Sequence, residues 1–124
     1  MIESYRDLKV WQGGMGIVEE VYLLSRRFPK EEVYGLSAQM RRAAVSLPSN
    51  IAEGHARQST REYLHHISIA LGSLAELETQ ILIANRLGYL HDAAVELLLS
   101  QTASLGKMLR ALLRSLRAKL SPSP

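Results

Sequence analysis

The sequence predicts an all-α fold, an antiparallel up-down-up-down four-helix bundle. Three observations carry that prediction. Apolar residues recur at spacings of three and four along four long stretches, which is the period of one helix face. The connections between the stretches are short, and short connections join antiparallel neighbours. No stretch alternates apolar and polar residues as a half-buried strand would. The 124 residues make one domain, assigned to 1–120, with a frayed tail at 121–124.

The first helix is predicted from Arg6 to Arg27, with Leu8, Trp11, Met15, Val18 and Tyr22 as its seam and Val21 and Leu24 beside it. Gly13, Gly14 and Gly16 fall inside it, each costing up to about 1 kcal/mol against alanine. A phosphate-cradling loop is rejected there. No strand precedes the glycines, their spacing fits neither nucleotide fingerprint, and no lysine-serine pair follows. Phe28-Pro29 ends this helix, because the residue before proline avoids the helical region.

The second helix is predicted from Leu36 to Ala56. Met40, Ala43, Ala44, Leu47 and Ile51 share its buried face. Pro48 lies inside the pattern, where it removes a donor and crowds the carbonyl of Ala44 at a cost of roughly 3 kcal/mol. The apolar pattern resumes at Ile51, so the helix is expected to kink and continue, with the hydroxyls of Ser46 and Ser49 free to repair backbone groups. Ser46, Asn50 and Gly54, four apart, form a polar ridge beside Pro48 and Glu53. The ridge reads either as a buried repair of the kink or as a contact surface for a partner.

Ser59 with Glu62 three residues on predicts a capping box, and the third helix runs from Thr60 to about Leu87. It is apolar nearly all round. Leu64, Ile67, Leu71, Leu74 and Ile81 lie on one side and Ile69, Leu77, Leu82 and Ile83 elsewhere, so it needs cover on more than one side. A hairpin turning about residue 57 would set Gly72 opposite Ala43, small against small. It would also bring Gln39 and Arg42 near Ser73 and Glu76, and an Arg42–Glu76 ion pair is expected. Gly88 suits a left-handed helix stop. His91 or Asp92 caps the fourth helix, which runs to about Lys119. Its seam is Leu98, Thr102, Leu105, Leu109, Leu112, Leu116 and Leu120. A second stripe of Val95, Leu99 and Leu113 suggests a subunit interface or a wide core face.

Composition excludes several classes. Cysteine is absent, which removes disulfides, zinc-thiolate sites and thiol nucleophiles, and fits a reducing, cytoplasmic setting. No signal-peptide pattern opens the chain. No apolar run approaches about 18 residues, so no membrane-spanning helix is expected. Glu62-Tyr-Leu-His65 has the spacing of one di-iron half-site, but such a site needs the motif twice. No metal or cofactor is expected. No nucleophile elbow or paired-carboxylate arrangement is visible, so no enzyme is expected either.

The basic residues remain. The net charge is only +3, yet Lys107, Arg110, Arg114, Arg117 and Lys119 follow one another on the last helix with no acid between them. Positions 107, 110, 114 and 117 form one stripe. An antiparallel fourth helix would bring this stripe to the turn holding Arg57 and Arg61, and such a patch can neutralise phosphates. The candidate nucleic-acid-binding residues are therefore Arg57, Arg61, Lys107, Arg110, Arg114 and Arg117, with Arg41 and Arg42 as second choices. The macrodipole also favours lysine and arginine at helix C-termini without any ligand. The candidate structural or partner ridge is Ser46, Pro48, Asn50, Glu53 and Gly54, with Gly72 and Glu76 facing it.

The segments RRAAVSLPSNIAEG, YRDLKVWQ and ALGSLAELETQILIANRLGYL resemble the bacterial 23S rRNA intervening-sequence protein family, also called four helix bundle protein, over about Tyr5 to Leu120. That family is similar to the accessory variability proteins of diversity-generating retroelements. These are pentameric barrels of four-helix bundles whose basic surface engages nucleic acid and a reverse transcriptase. The resemblance implies a ring-shaped homo-oligomer, a pentamer, and a non-catalytic accessory factor that binds RNA or DNA. The alternative is a protein–protein interaction module docking through the Ser46 to Gly54 ridge. Gly13, Gly14 and Gly16 depart from the ordinary helix formers of the family and predict a less rigid first helix.

Overall fold

The computed structural model describes residues 2–120. The tail assigned to 121–124 lies outside them. Four helices account for most of the chain: α1 (Lys9–Ser25), α2 (Leu36–Ala56), α3 (Thr60–Arg86) and α4 (Asp92–Leu120). No strand occurs among the described residues. The helices close a cycle in which α1 packs on α2, α2 on α3, α3 on α4 and α4 on α1. One core of aliphatic side chains runs through the middle, with Ile17, Val21, Met40, Leu47, Ile51, Ile67, Leu77, Ile81, Leu98, Leu105 and Leu109 almost fully buried.

The first helix starts later than the periodicity predicts. Ser4 and Asp7 build a separate 3-10 turn over Tyr5–Asp7. The Asp7 carboxylate accepts the Glu3 and Ser4 amides at 2.9 and 3.1 Å, and Ser4 Oγ accepts the Arg6 amide at 3.1 Å. Leu8 then leaves the helical region at ψ 131°. These two amide bonds hold the Asp7 carboxyl below its ordinary value, because they favour the charged form.

The seam of α1 is also displaced. Val10, Gly14, Ile17, Val21 and Ser25 are buried, whereas Tyr22 of the expected stripe is exposed. Gly14 is the reason. A Cβ there would stand 3.2 Å from both the Cδ and the N of Pro48, so the glycine lets α1 lie directly on the proline of α2. α1 is continuous through all three glycines, and the helix breaker in α2 meets the one residue type that leaves it room.

α2 keeps its predicted bounds and continues through Pro48. Its whole predicted face is buried. The connection before it turns through Lys30–Glu32. There Glu32 Oε1 accepts the Leu36 amide at 3.0 Å and caps α2, while Oε2 accepts the Tyr89 hydroxyl at 3.0 Å. That bond, with the nearby carboxylate charge, raises the Tyr89 phenol above its ordinary value.

The register between α2 and α3 is as expected in bringing Gln39 and Arg42 to one cleft with Ser73 and Glu76, but it lies slightly later than the prediction. Ser46 meets Ser73, Asn50 meets His66, and Gly54 meets Tyr63 and His66. Gly72 is exposed with nothing within 4 Å of where its Cβ would be, so it does not face Ala43. The close approach is made by Gly54, where a Cβ would fall 2.7 Å from His66 Cβ and 3.0 Å from Tyr63 Cδ1. The predicted register took the turn at about residue 57. α2 in fact runs to Ala56 and α3 starts at Thr60, which moves the centre of the hairpin later. At the turn, Ser59 Oγ accepts the Glu62 amide at 3.3 Å. This is the serine half of the predicted capping box.

α3 buries Ile67, Leu74, Leu77 and Ile81 between α2 and α4 but leaves Ile69, Leu82 and Ile83 about 40% exposed or more. It is also long and apolar enough to cross a membrane by length and composition, with a window of mean hydropathy 1.4. This corrects the expectation that no such stretch exists. Part of that hydropathy is core and part is the exposed Ile69, Leu82 and Ile83. Gly88 stops α3 at φ 78°, and the Tyr89 amide donates back to the Ala84 carbonyl at 2.8 Å, as a left-handed cap requires. In α4, Val95 joins the core and Leu99 and Leu113 pack against it. The second stripe is therefore a wide core face. Leu120 of the predicted seam is 40% exposed.

Candidate nucleic-acid interface

The α4 stripe carries five cations between Lys107 and Lys119 with no acid among them. Thr102 Oγ1 donates to Glu78 Oε2 at 2.7 Å, and Gly106 lies against Leu74. These contacts set α4 running opposite to α3, with residues 107–119 passing toward the start of α3. Lys107, Arg110, Arg114, Arg117 and Lys119 are all exposed, as are Arg57 and Arg61. On a helix with 1.5 Å rise, Lys107 to Arg117 is a row about 15 Å long. The facing stretch of α3, from Arg61 to Ser73, carries a single acid, Glu62. The register thus brings Arg61 to the same end as Arg114 and Arg117.

The other candidates divide. Arg57 pairs with Glu53 at 3.0 Å, both largely exposed, which lowers its share of the local field. Arg41 lies near the start of α2, about 24 Å of helix from Arg57. Its guanidinium donates to Ser25 Oγ at 2.9 Å and to the Tyr22 carbonyl at 3.5 Å, and stacks 4.6 Å from the centroid of the Tyr22 ring. It ties α1 to α2. Arg42 and Glu76 line one open cleft with Gln39, Ala43, Ser46 and Ser73. The ion pair expected between them is not made: both side chains are exposed, where two long chains gain little from being held together.

The ridge is consumed inside the molecule. Asn50 Nδ2 donates to the Ser46 carbonyl and to Ser46 Oγ, both at 2.9 Å. Ser46 Oγ meets Ser73 Oγ at 2.8 Å, and Asn50 Oδ1 meets His66 Nδ1 at 3.0 Å. The Ser46 carbonyl can only accept, which fixes the Asn50 amide. Oδ1 therefore faces His66, and His66 Nδ1 carries the hydrogen. A four-residue polar chain spans α2 and α3 beside Pro48. The Ser46 hydroxyl bridges the helices instead of repairing the backbone, and Pro48 and Gly54 are buried. Glu53 faces solvent and Arg57.

Sequence reading placed Ser73 near Gln39 and Arg42 but missed its bond to Ser46, and it missed His66 and the pairing of Gly14 with Pro48. Nothing in the periodicity marks Ser73 or His66, since both depend on the α2–α3 register. The Gly14–Pro48 contact had a signal: one helix holds an unfavourable glycine and the next an unfavourable proline. Burial raises the Tyr63 phenol next to this network. Among the described residues no cluster of three or more metal-ligating side chains occurs, and Glu62 and His65 are both exposed.

Comparison with known proteins agrees with the fold. No curated protein matches the chain. A crystal structure from Bacteroides thetaiotaomicron VPI-5482, of a protein with unknown function from the S23 ribosomal protein family, is similar with TM-score 0.77 and 22% identity, over 85% of this chain and 95% of that one. The model of the 23S rRNA-intervening sequence protein family matches residues 6–111, which takes in all of α1 to α3 and most of α4. The chain belongs to the 23S rRNA-intervening sequence protein family.

Proposed function

We propose that the protein is a non-catalytic accessory factor, an up-down-up-down bundle assembled into a ring, that binds RNA or DNA through the basic face of α4. The observation that carries the reading is the exposed row Lys107, Arg110, Arg114 and Arg117 with Arg61 at the same end and no acid along α4 between Lys107 and Lys119. Phosphate is the chemistry such a row can hold, and contacts to phosphate position a protein without reading sequence. The family resemblance to pentameric, nucleic-acid-engaging proteins supports the same reading.

Two apolar surfaces support assembly. Tyr22, Leu23, Val33, Tyr34 and Val45 are exposed on the α1–α2 side, Tyr34 at 96%, and Ile69, Leu82 and Ile83 on α3. Unlike surfaces that meet head to tail generate rings when the rotation closes, and a ring repeats the basic face and multiplies its affinity. Docking of a protein through the Ser46–Gly54 ridge is less favoured, because the ridge groups already bond to one another. Titration of labelled RNA and DNA at about 50 and 200 mM salt, with the oligomeric mass measured alongside, tests the reading. Binding that falls steeply with salt and disappears in Arg110→Glu/Arg114→Glu, with the mass unchanged, supports it. No binding at the lower salt refutes it.

A further inference from the structure

We infer that the α4 face takes the phosphate backbone of a duplex in preference to a single strand, an inference that rests on the nucleic-acid reading above. Proteins that hold single strands combine a basic groove with aromatic rings on which successive bases stack. This face has the charge and not the rings. From Asp92 to Leu120, α4 contains no tyrosine, tryptophan, phenylalanine or histidine. Four rings lie toward the start of α3, and three of them are taken. Tyr63 is half-buried, lies against Gly54 and meets His55 edge-on at 5.8 Å. His66 is bonded to Asn50 at 3.0 Å. His65 is the one of the four that is exposed, and it sits on α3, where a single imidazole cannot provide a platform for consecutive bases.

Charge density points the same way. A duplex presents one phosphate per about 1.7 Å of axis, counting both strands, against about 3.4 Å for each strand alone. A surface that offers only guanidinium and ammonium groups gains most from the denser array. It also loses nothing when the bases are hidden in a stack. The row is held on a helix whose opposite face is core, with Leu105, Leu109 and Leu116 buried behind Lys107, Arg110, Arg114 and Arg117. Such a fixed row suits a stiff backbone, whereas a flexible strand must give up conformational freedom to lie along it.

The test uses the intact protein with a labelled single strand of about 20 nucleotides and the duplex of the same sequence, as RNA and as DNA. The duplex is expected to bind at least about fivefold tighter than the single strand at 50 mM salt. If each face neutralises about three phosphates, raising salt to about 200 mM weakens duplex binding roughly fortyfold and single-strand binding roughly twentyfold. Ala118→Tyr places a ring on the exposed row between Arg114 and Lys119. It should raise single-strand affinity at least about fivefold, the effect of stacking one base, and leave the duplex within about twofold. Circular dichroism confirms that each variant is folded. Equal or tighter binding of the single strand, lost in Arg110→Glu/Arg114→Glu, overturns the duplex preference and leaves the nucleic-acid reading standing. Absence of binding to every probe overturns both.

Discussion

Replacing Gly54 with alanine tests the register on which the α2–α3 pair is built. The new Cβ would lie 2.7 Å from His66 Cβ, 3.0 Å from Tyr63 Cδ1 and 3.4 Å from the Tyr63 carbonyl oxygen. Carbon atoms in good contact stand about 3.5–4.0 Å apart, so the shortfall against His66 is close to 1 Å. A Cβ is fixed to the backbone and cannot rotate away, so α3 itself must withdraw. That movement strains the Asn50–His66 bond of 3.0 Å. Overpacking costs about 1–3 kcal/mol, and a weakened hydrogen bond about 0.5–1.5 kcal/mol. Alanine returns about 1 kcal/mol of helix propensity. The net loss is roughly 0.5–3.5 kcal/mol. Gly72→Ala is the control, because no atom stands within 4 Å of its Cβ position. It should gain up to about 1 kcal/mol. Urea unfolding at one fixed protomer concentration reads both as shifts of midpoint with unchanged slope. A Gly54→Ala protein as stable as the parent, or a destabilised Gly72→Ala, would refute the register.

Further outcomes follow from single contacts. Gly16→Ala, with open space at its Cβ, should stabilise by up to about 1 kcal/mol, whereas Gly14→Ala, held 3.2 Å from the Pro48 ring and nitrogen, should lose stability by up to about 2 kcal/mol once overpacking is set against propensity; thermal unfolding of the pair separates them. Arg41→Met keeps the aliphatic stem but removes the bonds to Ser25 and the Tyr22 carbonyl and the stacking on the Tyr22 ring, and should cost about 1–2 kcal/mol in urea unfolding without changing nucleic-acid affinity. The Tyr89 phenol is raised by Glu32, so its contribution to stability is fully present below its unfolded value near 10 and is lost as pH rises through the higher folded value. Ultraviolet titration of the parent against Tyr89→Phe should show this phenol ionising above the ordinary tyrosine range, and an ordinary value would refute the Glu32 bond.

What the sequence made legible was whatever depends on one helix at a time. The bounds of α2, the buried face from Met40 to Ile51, the left-handed Gly88 and the wide apolar girth of α3 all follow from local period and local chemistry. What failed depends on two helices at once. The α1 seam was misread because Gly14 was counted as a cost to its own helix, when its meaning lies in Pro48 of the next. Gly72 was matched with Ala43 because the hairpin centre was placed too early, and a few residues are enough to move a contact to another turn. The polar chain from Ser73 through Ser46 and Asn50 to His66 was half visible as the Ser46–Asn50–Gly54 ridge. Its other half sits on α3, and only the register joins them. The basic row was legible because it lies on one face of one helix.

That row also differs in kind from the other anomalies. Pro48 and Gly14 each weaken their own helix, and each is answered by the other. Lys107, Arg110 and Arg114 pair with no carboxylate among the described residues. Lys107–Arg110, Arg110–Arg114 and Arg114–Arg117 are like charges three or four apart, and each such pair destabilises a helix by about 0.2–0.5 kcal/mol. The macrodipole offsets this only in the last turn, which reaches Arg117 and Lys119 and leaves Lys107 and Arg110 outside. Removing the charge should therefore leave the bundle as stable or slightly more so: Arg110→Gln/Arg114→Gln is expected to unfold at equal or higher urea than the parent while losing its polyanion affinity. Like charges that lower helix stability with no carboxylate paired to them are the kind of local conflict found at functional sites. A clear loss of stability in this double variant would show instead that the row serves the bundle, and would remove the main support for the nucleic-acid reading.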